Sequence, residues 1–134
     1  MGVPQITAGM YKLKNQTALE NFPIIGLSKT HSSNALVTDS AAAGTAIACG
    51  EKTANGTVGI SMRNQKLTSI LELSKQKGYK TGIIATSTIV HATPAAFYAN
   101  VLSRNQYEDI ALQLSVSDVA VSYTHLTLPT TDRV

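Results

Sequence analysis

Val37-Thr38-Asp39-Ser40-Ala41-Ala42-Ala43-Gly44-Thr45-Ala46 is the stretch that decides how the rest of the chain is read. It has the form of a strand end that breaks into a helix. Asp39 and Ser40 are good N-cap residues, because their side-chain oxygens can accept from the free N–H groups of a first turn. Ala41 to Cys49 is small and mostly helix-favouring. Gly50 stands where a glycine in the left-handed conformation would stop the helix. The exposed N–H groups and positive dipole end at such a start make an anion site that suits phosphate. They also lower the cost of forming an alkoxide at Ser40, as a serine nucleophile requires. A serine at a helix start is most often a cap and nothing more, and small residues also let a helix lie close to a sheet. Local physics leaves both readings open.

Composition bounds the answer. The chain has 134 residues, 43% of them apolar, which allows one globular domain and excludes a disordered chain. The net charge of +3 is scattered. Lys75, Lys77 and Lys80 form the densest basic group, and no basic stretch is interleaved with aromatics, so nucleic acid is not expected as a specific partner. Cys49 lies among small helical residues and reads as buried filler rather than a reactive thiol. No apolar run is long enough to span a membrane. Met1-Gly2-Val3-Pro4 carries neither the basic segment nor the apolar run of a signal peptide.

Taken in order, Pro4 to Asn15 reads as a helix with Ile6, Met10 and Leu13 on one side. Pro23 to Leu27 is an apolar run of strand length, and His31 to Asn34 is a polar loop in which His31 reads as a surface histidine. Asn55-Gly56 is a turn, followed by a short strand or extended stretch from Val58 to Met62. A helix over 68–77 ends at Gly78 and leads to a strand over 82–87 that barely alternates, hence one buried on both faces. This is one step of a mostly parallel α/β sheet. Thr93 and Pro94 read as the cap and first residue of a helix from Ala95 to Leu102, which Arg104 closes. The loop at His91 lies at the carboxyl end of the preceding strand, where open α/β sheets bind ligands. A further amphipathic helix runs from Tyr107 to Leu114, and Val116 to Val119 begins the next strand.

The opening stretch resembles the nucleophile signature of the alkaline phosphatases. So do Gly26-Leu27-Ser28-Lys29-Thr30, Gly50-Glu51-Lys52-Thr53, Asn55-Gly56, His91-Ala92-Thr93-Pro94-Ala95-Ala96 and Ser103-Arg104. The resemblance runs from Met1 to about Val119. It implies a doubly wound, mostly parallel α/β fold of which residues 1–120 are the N-terminal part of the catalytic domain. It also implies a hydrolase of phosphate monoesters with two zinc ions and one magnesium ion. Ser40, bound to zinc, would attack phosphorus and form a phosphoserine. Arg104 would hold the substrate phosphate with two N–H groups, Asp39 would orient Arg104, Thr93 would give its hydroxyl to magnesium, and His91 would act on the surroundings of that ion without ligating it. By family habit the protein would be periplasmic or secreted, and a homodimer is open for the full-length protein.

Some of the family pattern is missing. Its Gly-Asp-Gly-Met-Gly turn, whose aspartate binds metal, is matched only by Met1-Gly2, so Met1 reads as an internal methionine. No Asp-x-x-x-His or Asp-His pair is present. Zinc needs three or four such ligands; in the family they come from downstream. The fragment alone is therefore expected to be inactive. Residues 121–134, Val-Ser-Tyr-Thr-His-Leu-Thr-Leu-Pro-Thr-Thr-Asp-Arg-Val, have no visible counterpart and read as a translated sequencing-adapter tail; a threonine-rich strand is the alternative. Two other functions stay open: a metal-dependent diesterase or sulfatase of the same superfold, and a non-catalytic phosphate-binding relic. Serine at position 40 together with Arg104 argues against the first.

Overall fold

The computed structural model describes residues 2–117, 119 and 121–124. Helix α1 (Val3–Lys12) buries none of its residues. A short 3-10 turn at Ala18–Asn21 follows, with a capping box between Thr17 and Glu20. Then come α2 (Ser40–Cys49), α3 (Ile70–Gln76), β1 (Gly82–Ala85), α4 (Ala92–Ala95), α5 (Tyr107–Val116) and β2 (Val121–Thr124). β1 and β2 run parallel, Gly82 opposite Val121 and Ala85 opposite Thr124. Parallel neighbours need a long crossover, and here it carries α4 and α5.

Helix α2 forms as its residues dictate. Asp39 is its N-cap and accepts from the Ala42 N–H, while Gly50 ends it at φ 74°. One face of α2 is buried through Ala41, Ala42, Gly44, Thr45 and Ala48. It lies close on α4: a Cβ at Gly44 would stand 3.3 Å from Ala96 Cβ and 3.3 Å from Thr93 Cα. The small residues thus serve close packing as well as helix formation. Helix α3 begins with a capping box between Ser69 and Glu72, and Gly78 follows it at φ 82°.

Around α2 the core gathers Val58, Leu71, Ile83, Tyr98, Val101 and Ile110. Burial pushes the Tyr98 phenol up to about 12, and its hydroxyl donates to the Ile89 carbonyl at 2.7 Å. Folding therefore favours the protonated phenol. The stability it contributes is complete below the unfolded value near 10 and is lost as pH rises towards 12. Urea midpoints should fall across that window, and Tyr98→Phe should flatten this part of the fall. Cys49 is half-buried and its thiol is pushed up to about 11, by burial first and then by Glu72 and Glu51. That environment suits filler better than a nucleophile.

Several expectations are corrected. Pro23 to Leu27 forms no strand: Ile24, Ile25 and Leu27 are exposed. An apolar run becomes a strand only beside a partner strand, and none lies next to it among the described residues. Of the two readings of Val58 to Met62, the extended stretch holds rather than the strand: it carries two isolated bridges, Val58 to Val101 and Ile60 to Lys66. The helix expected over 95–102 is the four-residue α4, which starts earlier, with His91 as N-cap and Thr93 inside the first turn. Proline there is harmless, since first-turn N–H groups have no helical partner.

The chain leaves that helix because its backbone is claimed from outside. Ser69 Oγ donates to the Phe97 carbonyl at 2.6 Å, and Val101 exchanges both backbone bonds with Val58 at 2.9 and 3.0 Å. Arg104 consequently sits in a turn before α5 rather than at a helix end. β1 alternates, with Ile83 buried and Ile84 63% exposed, so only one of its faces is covered by the described residues. Val116 closes α5 instead of opening a strand. The strand expected next is Val121–Thr124, inside the stretch read as a tail. Residues 125–134, the remainder of that stretch with His125, lie outside the described residues, as does Met1.

Candidate active site

Ser40 is the first residue of α2 and is exposed, so its hydroxyl faces solvent at the positive end of a ten-residue helix. Arg104 reaches it from sixty-four residues away: Nη1 donates to Ser40 Oγ at 2.7 Å and to Asp39 Oδ2 at 3.3 Å. The Asp39 carboxylate has three donors. Oδ1 accepts from Ala42 N–H at 2.9 Å, and Oδ2 accepts from Gly56 N–H at 2.9 Å as well as from Arg104. One aspartate therefore caps the helix, ties in the 56 turn and neutralises the guanidinium. The Arg104–Asp39 pair is partly exposed, at 33% and 26%, so its value lies in direction more than in stability.

The geometry leaves part of Arg104 available. Among the described residues only Nη1 has a protein partner. Nε and Nη2 keep their donors, and a fork of this shape matches two oxygens of a tetrahedral anion. A cationic donor on Ser40 Oγ also favours the alkoxide over the neutral hydroxyl.

The other expected site residues are placed less closely. Thr93 is exposed and lies against α2 at Gly44, one turn beyond Ser40. His91 is exposed and sits beside Tyr107, with ring centroids 6.3 Å apart. The structure thus brings Asp39, Ser40 and Arg104 into direct contact, with Thr93 near the same helix and His91 on a ring pair of its own. His31 is exposed as expected, but it is not idle. Lys52 Nζ donates to the carbonyls of Lys29 at 2.8 Å and His31 at 2.7 Å, with His31 Nδ1 at 3.2 Å.

Sequence reasoning missed Asn34 and Asn55. Asn55 Oδ1 accepts from Asp39 N–H at 3.0 Å and its Nδ2 donates to the Val37 carbonyl at 2.9 Å. Asn34 Oδ1 accepts from Asn55 N–H at 3.0 Å. The Asn-Gly pair announced the turn, but no local signal tells that its side chain grips a segment sixteen residues away.

The sequence model of the alkaline phosphatase family matches residues 1–130. The chain belongs to the alkaline phosphatase family. It is 40% identical over 128 residues to the alkaline phosphatase of Gadus morhua, covering 81% of this chain and 27% of that protein. It is 42% identical over 121 residues to alkaline phosphatase 4 of Bacillus subtilis, covering 83% of this chain and 26% of that one. The alkaline phosphatase of the Antarctic bacterium TAB5 superposes with a TM-score of 0.82 at 41% identity, over 90% of this chain and 36% of that structure. The cold-active enzyme of a Shewanella species gives 0.81 at 34% identity, over 90% of this chain and 32% of that structure. The chain thus spans about a quarter to a third of the length of these relatives. A variant of the TAB5 enzyme has been solved with magnesium bound in its M3 site.

The zinc and magnesium sites expected from the resemblance can be tested against these side chains. Among the described residues no three of His, Cys, Asp and Glu come together to hold a metal ion. The Asp39 oxygens are taken by N–H donors, and the Lys52 ammonium stands where a cation would approach His31 Nδ1. Ser40 and Thr93 offer one hydroxyl oxygen each, which does not make a metal site. The described residues do not fit either ion by themselves.

Proposed function

We propose that this chain carries the nucleophile and phosphate clamp of a phosphomonoester hydrolase. The observation that supports this best is one guanidinium nitrogen donating to both Ser40 Oγ and Asp39 Oδ2 at the start of α2. In this reading Nε and Nη2 of Arg104 hold two phosphate oxygens, and Asp39 keeps the fork turned towards the bound group. Ser40 Oγ attacks phosphorus: the Ser40 O–P bond forms as the ester P–O bond breaks. The leaving oxygen and the serine exchange one proton through solvent. Water then cleaves the phosphoserine, releasing inorganic phosphate and restoring the hydroxyl.

Two zinc ions and one magnesium ion belong to the expected chemistry, with Thr93 and His91 near the latter. Because the described residues do not fit them, no step is assigned to a metal. β1 and β2 would be neighbouring strands of a larger doubly wound sheet. A periplasmic or secreted location follows from family habit. Among the described residues no helix is long and apolar enough to cross a membrane.

A chimera tests the reading: residues 2–119 replace the aligned segment of the TAB5 alkaline phosphatase. It should hydrolyse p-nitrophenyl phosphate in zinc and magnesium and lose that activity with Ser40→Ala. A chimera that folds, by circular dichroism and size exclusion, yet turns over no monoester overturns the proposal. A preference for a diester or a sulfate ester would favour the neighbouring reactions instead. The 134-residue chain alone should be inactive in the same assay.

A further inference from the structure

Ser40 and Arg104 lie on separate elements, and among the described residues no backbone bond joins α2 to the turn that carries Arg104. Both are fastened instead to the stretch 55–59. On the serine side, Asn55 holds Asp39 N–H and the Val37 carbonyl, Gly56 N–H holds Asp39 Oδ2, and Gly59 N–H donates to buried Thr45 Oγ1 at 3.0 Å. On the arginine side, the Gly56 carbonyl accepts from Arg104 N–H at 2.7 Å, and Val58 pairs with Val101. The stretch works as a jig whose two sides set the distance between nucleophile and clamp.

We infer that Asn55 is the positioning residue of this site: its side-chain amide fixes the Val37–Asp39 entry to α2, and through Asp39 the aim of Arg104. The amide is suited to this because the two groups it grips are of opposite kind. The Asp39 N–H requires an acceptor and the Val37 carbonyl a donor, and one planar amide supplies both at 3.0 and 2.9 Å. Its own N–H is held by Asn34 Oδ1 at 3.0 Å, so the gripping side chain is itself seated. Asp39 cannot rotate away without breaking its bonds to Ala42, Gly56 and Arg104 together. The inference deepens the functional reading above and rests on it for its meaning, although the latch can be measured separately.

The test uses the 134-residue chain, labelled with nitrogen-15, with and without Asn55→Ala, Asn55→Asp and Asn34→Ala. Amide hydrogen exchange is followed residue by residue, and inorganic phosphate is titrated against the Ser40, Ala41 and Arg104 resonances. Asn55→Ala should speed exchange at Asp39 N–H about tenfold or more and weaken phosphate binding about tenfold. The α3 amide of Leu73, bonded to Ser69, should be unchanged. Asn55→Asp keeps the acceptor for Asp39 N–H but sets a carboxylate oxygen against the Val37 carbonyl, so its protection of Asp39 N–H should fall between Asn55→Ala and the parent. Asn34→Ala should give an intermediate loss.

Unchanged exchange at Asp39 in Asn55→Ala overturns the inference. Should that variant unfold, Asn34→Ala decides: an Asp39 amide protected as in the parent overturns it, and one that exchanges faster while Leu73 is unchanged supports it. If the parent chain binds no phosphate while the Asp39 latch behaves as described, the phosphate reading fails and the positioning of Asp39 stands.

Discussion

Gly59→Ala should leave little folded protein. Gly59 has φ 63°, a conformation that costs an L-residue about 1–2 kcal/mol. Space makes matters worse. A Cβ there would collide with the Ala99 carbonyl oxygen and stand 2.7 Å from Asn100 Nδ2. The oxygen belongs to backbone and cannot be turned aside as a side chain could. The Asn100 amide meanwhile donates to the Gly59 carbonyl at 2.5 Å and to the Leu67 carbonyl at 3.3 Å, so moving it opens two more bonds. Overpacking of this kind costs about 1–3 kcal/mol more. The total, roughly 2–5 kcal/mol, is a large part of what a small domain possesses. Urea denaturation followed by circular dichroism would measure it. A midpoint within error of the parent would show that the 59–99 approach is looser than described. Gly50→Ala is the control, with φ 74° but nothing within 4 Å of its Cβ.

Arg104→Lys should be nearly as damaging to phosphate handling while sparing the fold. Lysine keeps the charge and can reach one oxygen. It cannot offer two parallel N–H groups to the ligand while a third nitrogen stays on Ser40 and Asp39. Losing charge-assisted bonds of this type costs about 1.5–3 kcal/mol, roughly a 10- to 150-fold fall in kcat/KM for the chimera. Because the fork is proposed to hold the phosphate in ground and transition states alike, KM and the inhibition constant of inorganic phosphate should rise together. Stability should shift little, since the Arg104–Asp39 pair is partly exposed. If kcat/KM for p-nitrophenyl phosphate in Arg104→Lys stays within twofold of the parent chimera, the clamp is not Arg104.

The sequence made α2 legible almost to the residue, because its signals are local: Asp39 caps the next turn, small residues fill the helix and Gly50 ends it. Its partners were partly legible by resemblance, which placed Arg104 beside Asp39 without reference to geometry. What stayed hidden depends on distant neighbours. Pro23 to Leu27 has the apolar pattern of a strand, yet no strand lies beside it among the described residues. Ala95 to Leu102 has helical composition, but Ser69 and Val58 take the backbone groups that a helix would use. Asn55 announced a turn and concealed a latch, since side-chain hydrogen bonds between remote segments leave no periodicity to read.

The thin attachment of the first thirty residues has a consequence for how stability is distributed. Helix α1 buries none of its residues, every residue from Asn21 to His31 is exposed, and the stretch is moored at its far end by the Lys52 ammonium on two carbonyls. Little free energy separates this arm from solvent, whereas α2 is held through buried Thr45 and the jig at 55–59. Amide hydrogen exchange should therefore run faster in this arm than in α2. No hydrogen bond of the Ser40–Arg104 pair among the described residues comes from that arm, so fraying there should leave the nucleophile its clamp.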